Sequence, residues 1–299
     1  MSRRVFYAAK VNIHGNILSP NLKELILVHI PRVILNPREI KLRSWNWSFT
    51  DYAEISFEGK NLIIGNVTKS RHVKQKFKIG SSTQLQQTEH ELAKTAFFVY
   101  DPVGEILAHE STSEISASDF RDLFRILLSR DPLVGEVIVK PVPIPHKIRN
   151  EVLSIQKVTS IKFELIHPNP GEEEYNIYQS IIDDAGLKTL DIKLVNPDGL
   201  KIIDSVSPDA TKFTRTLENG ISLVESGYGE VAVRGFDEYV RKGKRKESII
   251  EKKSRKFSSS NEVRYIQIHE PDQERLLSRL YKFIMDIKSK VKGGEDIDV

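Results

Sequence analysis

The 299-residue chain combines 39% hydrophobic with 29% charged residues, a balance typical of a globular protein with an apolar core. It contains no cysteine, which excludes disulfides, thiolate nucleophiles and cysteine-based zinc sites and fits a reducing cytoplasm, where we expect the protein to reside. The formal net charge is only +4, and no stretch approaches about eighteen uncharged apolar residues, so we expect no direct membrane insertion.

The first part of the chain, residues 1–156, is predicted to form an N-terminal α+β domain. "RVFYAAKVNI" has the alternation of a strand, and "NLKELILVHI" has helical spacing and is predicted to end at Pro31. "YAEISF" and "NLIIGNV" predict a hairpin across Glu58-Gly59-Lys60, and "TAFFVYD" and "GEILAHE" predict a second one. "SASDFRDLFRILLS" predicts an amphipathic helix that Ser116 or Ser118 caps.

The second part, residues 157–292, is predicted to be a C-terminal α+β domain, followed by a frayed tail at 293–299. Its pattern is strand, helix, strand, helix, three strand-like runs and a C-terminal amphipathic helix. Ser207 and Pro208 are typical of a helix start, and Gly227 of a helix end. The fold class that follows is α+β, with two α+β units, mixed or antiparallel sheets and a basic β-hairpin at 239–260 in the second unit.

That hairpin concentrates the positive charge of the chain. The sixteen residues from Arg241 to Lys256 hold nine cations and two acids, a net charge of +7, so that the other 283 residues sum to −3. Cations so placed suit a phosphate backbone, whose contacts fix position without reading bases. The candidate nucleic-acid-binding residues of the hairpin are Arg241, Lys242, Lys244, Arg245, Lys246, Lys252, Lys253, Arg255 and Lys256.

A second basic run lies in "HVKQKFKI". Its alternation places Lys74, Lys76 and Lys78 on one face of a predicted strand, and we add these three residues to the candidate nucleic-acid-binding set. A solvated face is the alternative for both runs. Trp45 and Trp47 share one face of a predicted strand and could stack on bases, although such residues more often belong to a core or an interface.

Signatures of an enzyme are few. The eight histidines have no metal-ligand spacing, and no phosphate-binding loop or nucleophile motif occurs, so we predict no catalytic residues, no metal and no cofactor. The densest acids are Glu172, Glu173 and Glu174 with Asp183 and Asp184. A nuclease that gathers such carboxylates only in the folded state is the alternative, and a solvated helix start is the simpler interpretation.

Two segments carry a resemblance to a known family. "RRVFYAAK" near the N-terminus and "TAFFVYDPVGEILAHESTSEISASDFRDLF" at residues 95–124 resemble the DNA-binding component of the Rex phage-exclusion system of lambdoid prophages. The resemblance covers about residues 1–170. It implies a two-domain homodimer that binds duplex DNA with little sequence preference and signals to a membrane effector protein. The basic hairpin has no match in that family, so the assignment of its residues as nucleic-acid contacts rests on charge alone.

The sequence therefore predicts a cytoplasmic protein that binds duplex DNA without sequence specificity and acts in phage exclusion or abortive infection. RNA stays open as the ligand. Two different functions stay open as well: a metal-dependent nuclease toxin, and a protein-interaction module that docks an acidic partner or an anionic membrane surface. A homodimer is predicted from a stripe of apolar residues on the C-terminal helix: Leu276, Leu277, Leu280, Phe283, Ile284 and Ile287.

Overall fold

The computed structural model describes residues 3–15, 21–144, 146–168, 176–177, 189–204, 212–242, 248–270 and 272–292. Two compact units divide the chain. The first comprises Met1–Val139 and Tyr265–Lys288, and the second comprises Lys140–Arg264 and Ser289–Val299. This division differs in two respects from the predicted boundary at residue 156. The first unit ends earlier, at Val139, and it also includes a strand and a helix from the C-terminal part of the chain, Tyr265–Lys288.

The first unit is built on an eight-stranded sheet with the order β14-β1-β8-β7-β4-β3-β2, in which β9 also pairs with β1. Neighbouring strands along this order run antiparallel. Two further strands, β5 and β6, form a separate hairpin. The strands are β1 (Arg4–Gly15), β2 (Ile40–Leu42), β3 (Trp45–Phe57), β4 (Lys60–Arg71), β5 (Lys74–Ile79), β6 (Ser82–Gln87), β7 (Leu92–Asp101), β8 (Ile106–Ser111), β9 (Glu136–Pro141) and β14 (Tyr265–Ile268).

Both predicted hairpins of this sheet are confirmed. β3 and β4 are joined by Glu58 and Gly59, which both have positive φ, and β7 pairs with β8. Helix α3 (Ala117–Ser129) also forms as predicted, because the Ser116 side chain accepts a hydrogen bond from the Asp119 amide. Its aromatic rings pack edge-to-face on the sheet, with the centroid of Phe124 lying 5.4 Å from that of Phe98.

The prediction that Pro31 ends the first helical region is wrong. The region begins as α1 (Leu22–Glu24), continues as a π-helical segment (Leu25–His29) and proceeds as α2 (Ile30–Leu35). The wide π-helical turn, in which the Ile30 amide donates to the Leu25 carbonyl, leaves Pro31 in the first turn of a new α-helical segment. A proline is tolerated there because its missing amide hydrogen has no intrahelical role.

Helix α6 (Gln273–Lys292) belongs to the first unit up to Lys288. Most of the predicted apolar stripe is buried within the chain itself: Leu276, Leu280, Phe283, Ile284 and Ile287 are each at most 7% exposed. The stripe therefore gives no support to a dimer contact, and the homodimer stays a prediction. Among the helices that the structure describes, none is long and apolar enough to cross a membrane.

The second unit contains a four-stranded sheet with the order β11-β10-β12-β13, in which all neighbouring strands run antiparallel. Its strands are β10 (Lys157–Ile166), β11 (Thr189–Val195), β12 (Gly229–Lys242) and β13 (Ser248–Ser258), and its helices are α4 (Lys147–Ser154) and α5 (Arg215–Glu225). The predicted helix start at Ser207 and Pro208 and the tail 293–299 lie outside the described residues. The first predicted helical segment of this part, 172–186, lies outside them as well, except for residues 176–177, which are helical.

One face of this sheet is covered by α5. Val231 and Val233 of β12 and Phe163 of β10 are buried, and a Cβ at Gly220 of α5 would lie 2.8 Å from the Phe163 ring, so the helix approaches the sheet closely only because this residue is glycine. Arg149 ties α4 to α5, since its guanidinium bonds Glu218 and Glu225 at 2.8–3.0 Å. The opposite face of the second sheet is open and carries exposed side chains. The chain is α+β, as predicted.

Candidate nucleic-acid interface

The predicted basic hairpin exists and is longer than the rest of its sheet. β12 and β13 pair from Ala232 and Ser258 out to Lys242 and Ser248, whereas β10 accompanies β12 only as far as Phe236. Beyond that residue the hairpin is a two-stranded ribbon. Residues 243–247, which include Lys244, Arg245 and Lys246, lie outside the described residues, and the side chain of Lys242 is not described either.

The described cations of the hairpin do not share one face. Successive side chains of a strand point to opposite faces. Lys252 and Lys256 lie on the open face of the sheet, opposite Glu238 and Arg234 of β12. Lys253, Arg255 and Arg241 lie on the other face. The run of charge in the sequence is therefore divided between two surfaces in the fold.

Arg255 and Arg241 are bound to acids of their own unit. The Arg255 guanidinium donates to Asp237 at 2.8 Å and to the Ser154 hydroxyl of α4 at 3.1 Å. A hydrogen bond from the Gln156 amide, together with that guanidinium, lowers the pKa of the Asp237 carboxyl. Arg241 lies 3.3 Å from Glu251. Arg255 therefore attaches the base of the ribbon to α4, which is a structural use of a residue predicted to bind phosphate.

The open face also carries cations that did not stand out in the sequence. Lys157 and Lys162 of β10, Lys193 of β11 and Arg234 of β12 join Lys252 and Lys256 there. We call these six residues the cationic sheet face. On β10 and β12 more exposed residues alternate with buried ones, as in "SIKFEL" and "VAVRGF", and on β11 exposed residues alternate with half-buried ones. That alternation was the available signal, but only the strand order shows that the four segments are neighbours.

Two of the cross-strand pairs on this face bring like charges together. Lys162 lies directly opposite Lys193, and Arg234 lies directly opposite Lys256. Like charges opposite each other destabilise a sheet. Lys162 is partly neutralised by Glu164 at 2.5 Å and by Asp191 at 3.5 Å, which raise its pKa. No described acid is within ion-pair distance of the side chains of Lys157, Lys193, Arg234 or Lys256.

A hollow of about 750 Å³ lies in the middle of this face. Its lining residues are Thr159, Ser160, Lys162, Lys193, Val195, Pro197, Ala232, Arg234 and Phe236. The Phe236 ring is partly exposed and has two ammonium groups over it, that of Lys252 at 4.4 Å and that of Lys157 at 5.7 Å from its centroid. The face thus combines exposed cations, small polar side chains and one aromatic ring.

Gly235 allows the strand bend that places Phe236 beside Lys157. A Cβ at this position would collide with the carbonyl oxygen of Lys157, and the register of β10 against β12 shifts between Val158 and Ser160. Gly235 is therefore a crowded backbone position that faces the bulge of β10. The bulge re-aims the end of β10, so that the Lys157 side chain reaches the open face.

Lys74, Lys76 and Lys78 lie in the other unit. They project from β5, which among the described strands pairs with β6 alone and is exposed along its whole length. Their cross-strand partners Gln87, Leu85 and Thr83 are uncharged. The predicted alternation is confirmed, and in the part of the chain that the structure describes no carboxylate forms an ion pair with these lysines.

Trp45 and Trp47 interact with cations of their own sheet. The Lys69 ammonium lies 5.0 Å from the Trp45 ring and 5.9 Å from the Trp47 ring, and the Arg71 guanidinium lies 4.1 Å from the Trp45 ring. Lys69 also lies 3.3 Å from Glu114. The rings are therefore engaged by the protein, and base stacking on them would require these cations to move.

A metal centre has no support among the described residues, where no group of three or more His, Asp or Glu side chains could hold an ion. The acids Glu172, Glu173, Glu174, Asp183 and Asp184 lie outside these residues, so the nuclease alternative is not tested by the fold.

Comparison with known proteins identifies the family. The model of the family described as "Domain of unknown function (DUF4747)" matches residues 5–270, and the chain belongs to that family. No curated protein matches the sequence. The match spans both units, from β1 to the end of β14, and includes the whole cationic sheet face and the β5–β6 hairpin.

Proposed function

We propose that the protein binds nucleic acid, without base-sequence specificity, through the cationic sheet face of its second unit. The observation that carries this proposal is the like-charged pair formed by Arg234 and Lys256, both exposed and without a described acid to neutralise them. Such a pair weakens the sheet on its own, and a bound polyanion would relieve the repulsion. Lys157 and Lys193 extend the same charge along the neighbouring strands.

Sequence preference is expected to be low because this surface makes phosphate contacts. Lysine and arginine on an open sheet bind backbone oxygens, and phosphate contacts position a ligand without reading its bases. Affinity should therefore fall steeply as salt increases, since each neutralised phosphate releases counterions. Lys244, Arg245 and Lys246, which lie outside the described residues, stay predicted contacts of the same ligand.

The test is a binding titration with fluorescently labelled oligonucleotides, single-stranded and duplex, at about 50 and 200 mM salt. The double variant Arg234→Gln/Lys256→Gln should lose most of its affinity. Its control is Arg275→Gln/Lys282→Gln, which removes the same charge from two exposed positions of α6 in the first unit. Equal binding by wild type and the first variant would place the site elsewhere, and no binding by wild type would refute the proposal.

We propose that the protein acts in the cytoplasm in phage exclusion and signals to a membrane effector protein. This biological role rests on the resemblance of the N-terminal half to the Rex component. The test is phage plating on cells that express the chain. Wild type should reduce plating, and Arg234→Gln/Lys256→Gln should restore it. The accompanying homodimer is tested by light scattering, where a mass near 34.2 kDa would indicate a monomer.

A further inference from the structure

We infer that the ligand of the cationic sheet face is a single strand of DNA or RNA, with an unpaired base seated in the hollow against Phe236. The inference rests on the proposed function and adds the form of the ligand. The sequence predicts duplex DNA as the ligand, whereas the shape of the cationic sheet face favours a single strand.

The floor of the hollow is open to a flat ligand. Ser160 and Ala232 are small, and they flank Arg234 on the same face of the sheet. No long side chain rises from these two positions, so a planar ring could approach the strands closely. The volume of about 750 Å³ exceeds what one base needs and leaves room for the sugar or for a neighbouring base.

Phe236 supplies the stacking surface. Stacking of a base on an aromatic side chain is worth roughly 1–3 kcal/mol, and every base has a face suited to it. The ammonium of Lys252 now lies over the ring at 4.4 Å and 3.9 Å from Glu238, and such contacts at an exposed site are weaker than base stacking. The exchange therefore favours the base. The displaced lysine side chain is flexible and stays close enough to meet a phosphate.

The cations lie around the hollow where a backbone would pass. Lys193 is on the outer strand β11, Arg234 is on β12, and Lys256 is on the other outer strand, β13. A single strand that crosses the sheet would meet cations on both sides of the seated base. Antiparallel sheets with an exposed aromatic residue are one of the surfaces on which proteins bind splayed-out bases.

A duplex fits this surface poorly. Four strands spaced about 4.8 Å apart form a sheet about 14 Å wide, with a layer of helices behind it. The major groove is about 12 Å wide and admits a helix or a two-stranded ribbon. The ribbon of β12 and β13 beyond Phe236 could therefore enter it, but the four-stranded part of the sheet, which carries the hollow, could not. A duplex on this surface would meet the cations with its phosphate backbones. Its bases would remain stacked inside, and both the hollow and Phe236 would stay unused.

The experiment compares labelled single-stranded DNA, single-stranded RNA and duplex DNA of equal length in binding to wild type and to Phe236→Leu. The leucine keeps an apolar side chain but removes the stacking surface. The matched control is Tyr239→Leu, three residues along the same strand and on the opposite face. Because loss of stacking is worth roughly 1–3 kcal/mol, Phe236→Leu should weaken single-strand binding by about 5- to 150-fold. Duplex binding, and all binding by Tyr239→Leu, should be unchanged.

A second measurement does not depend on a substitution. Photocrosslinking with oligonucleotides that carry 5-iodouracil should attach the base to the peptide that contains Phe236. Salt-dependent binding of wild type to duplex with equal or higher affinity, together with indifference to Phe236→Leu, would refute the single-strand inference and leave the proposed function standing. Absence of binding to all three ligands would refute both. The two single-stranded ligands show whether the ribose hydroxyl contributes.

Discussion

Arg234 on β12 and Lys256 on β13 lie directly opposite each other, with both side chains exposed. Opposite charges, or an aromatic with a β-branched residue, would stabilise this pair of positions, and two cations do the reverse. The partner of Arg234 on its other side, on β10, is the uncharged Ser160. The pair has no described structural benefit, which is why we assign it to a ligand.

Stability and binding should therefore respond in opposite directions to neutralisation of this pair. Lys256→Gln, alone or with Arg234→Gln, should raise the free energy of unfolding by about 0.2–1 kcal/mol as the cross-strand repulsion disappears. The same double variant should reduce the slope of log affinity against log salt by about 1.4 for a single strand. Urea unfolding and salt-dependent anisotropy measure the two effects. A double variant that is less stable than wild type would contradict this account.

Replacement of the neighbouring residue Arg255 should instead lower stability and leave the affinity for nucleic acid nearly unchanged. Its guanidinium is engaged by Asp237 and by the Ser154 hydroxyl. Arg255→Gln should lower the stability of the second unit, because the ion pair with Asp237 and the hydrogen bond to Ser154 are both lost. Affinity for nucleic acid below the unfolding transition should change little. Arg255→Gln and Lys256→Gln are thus adjacent in sequence and predicted to be opposite in effect. A large loss of affinity in Arg255→Gln with unchanged stability would show that the guanidinium leaves Asp237 to bind the ligand.

Local patterns in the sequence were enough for most of the strands, the two hairpins of the first sheet and the cap of α3. Period-two alternation and positive-φ turn residues such as Gly59 act between residues close in the chain. The same reasoning failed at Pro31, where a π-helical turn changes the position that the proline occupies. The polar strand β6, "STQLQQ", was not predicted because it is exposed throughout and so shows no apolar alternation.

The candidate site was predictable only in part, for a related reason. The charge run at 241–256 was visible, but strand alternation sends Lys256 and Arg255 to opposite faces, which a sum of charges does not show. Lys162 and Lys193 are separated by thirty-one positions and become neighbours only through the pairing of β10 with β11. Sheet order is decided by tertiary packing, so a single sequence does not reveal which scattered cations share a surface.

The lysines of β5 provide a test of the second predicted basic run. Lys74→Gln/Lys76→Gln/Lys78→Gln removes three exposed charges from a hairpin of the first unit whose pairing is made by the backbone. If these residues contact the same ligand, as predicted from the sequence, the salt slope should fall by about 2 for a single strand. Circular dichroism should be unchanged. A slope equal to that of wild type would restrict the interface to the second unit.

His109 should make the stability of the first unit depend on pH. It is fully buried on β8 between Phe120, whose ring is stacked on it at 4.6 Å, and Tyr7, whose ring lies 6.2 Å away. Burial, aided by the positive charge of Arg121, lowers the pKa of this imidazole to about 3. An unfolded histidine titrates near pH 6.5. Between these two values the unfolded chain binds a proton that the folded chain does not.

The free energy of unfolding should therefore fall as pH decreases below about 6.5, with a contribution that approaches ~1.4 kcal/mol per pH unit. His109→Phe keeps an aromatic ring between Phe120 and Tyr7 and should remove this contribution, so that its stability changes less between about pH 7 and pH 5 than that of wild type. His269→Gln, at an exposed position, is the control. The measurement is urea unfolding across this range, where carboxylates contribute least. If stability depends on pH equally in wild type and His109→Phe, the imidazole binds its proton as readily in the folded chain as in the unfolded chain, and this prediction is wrong.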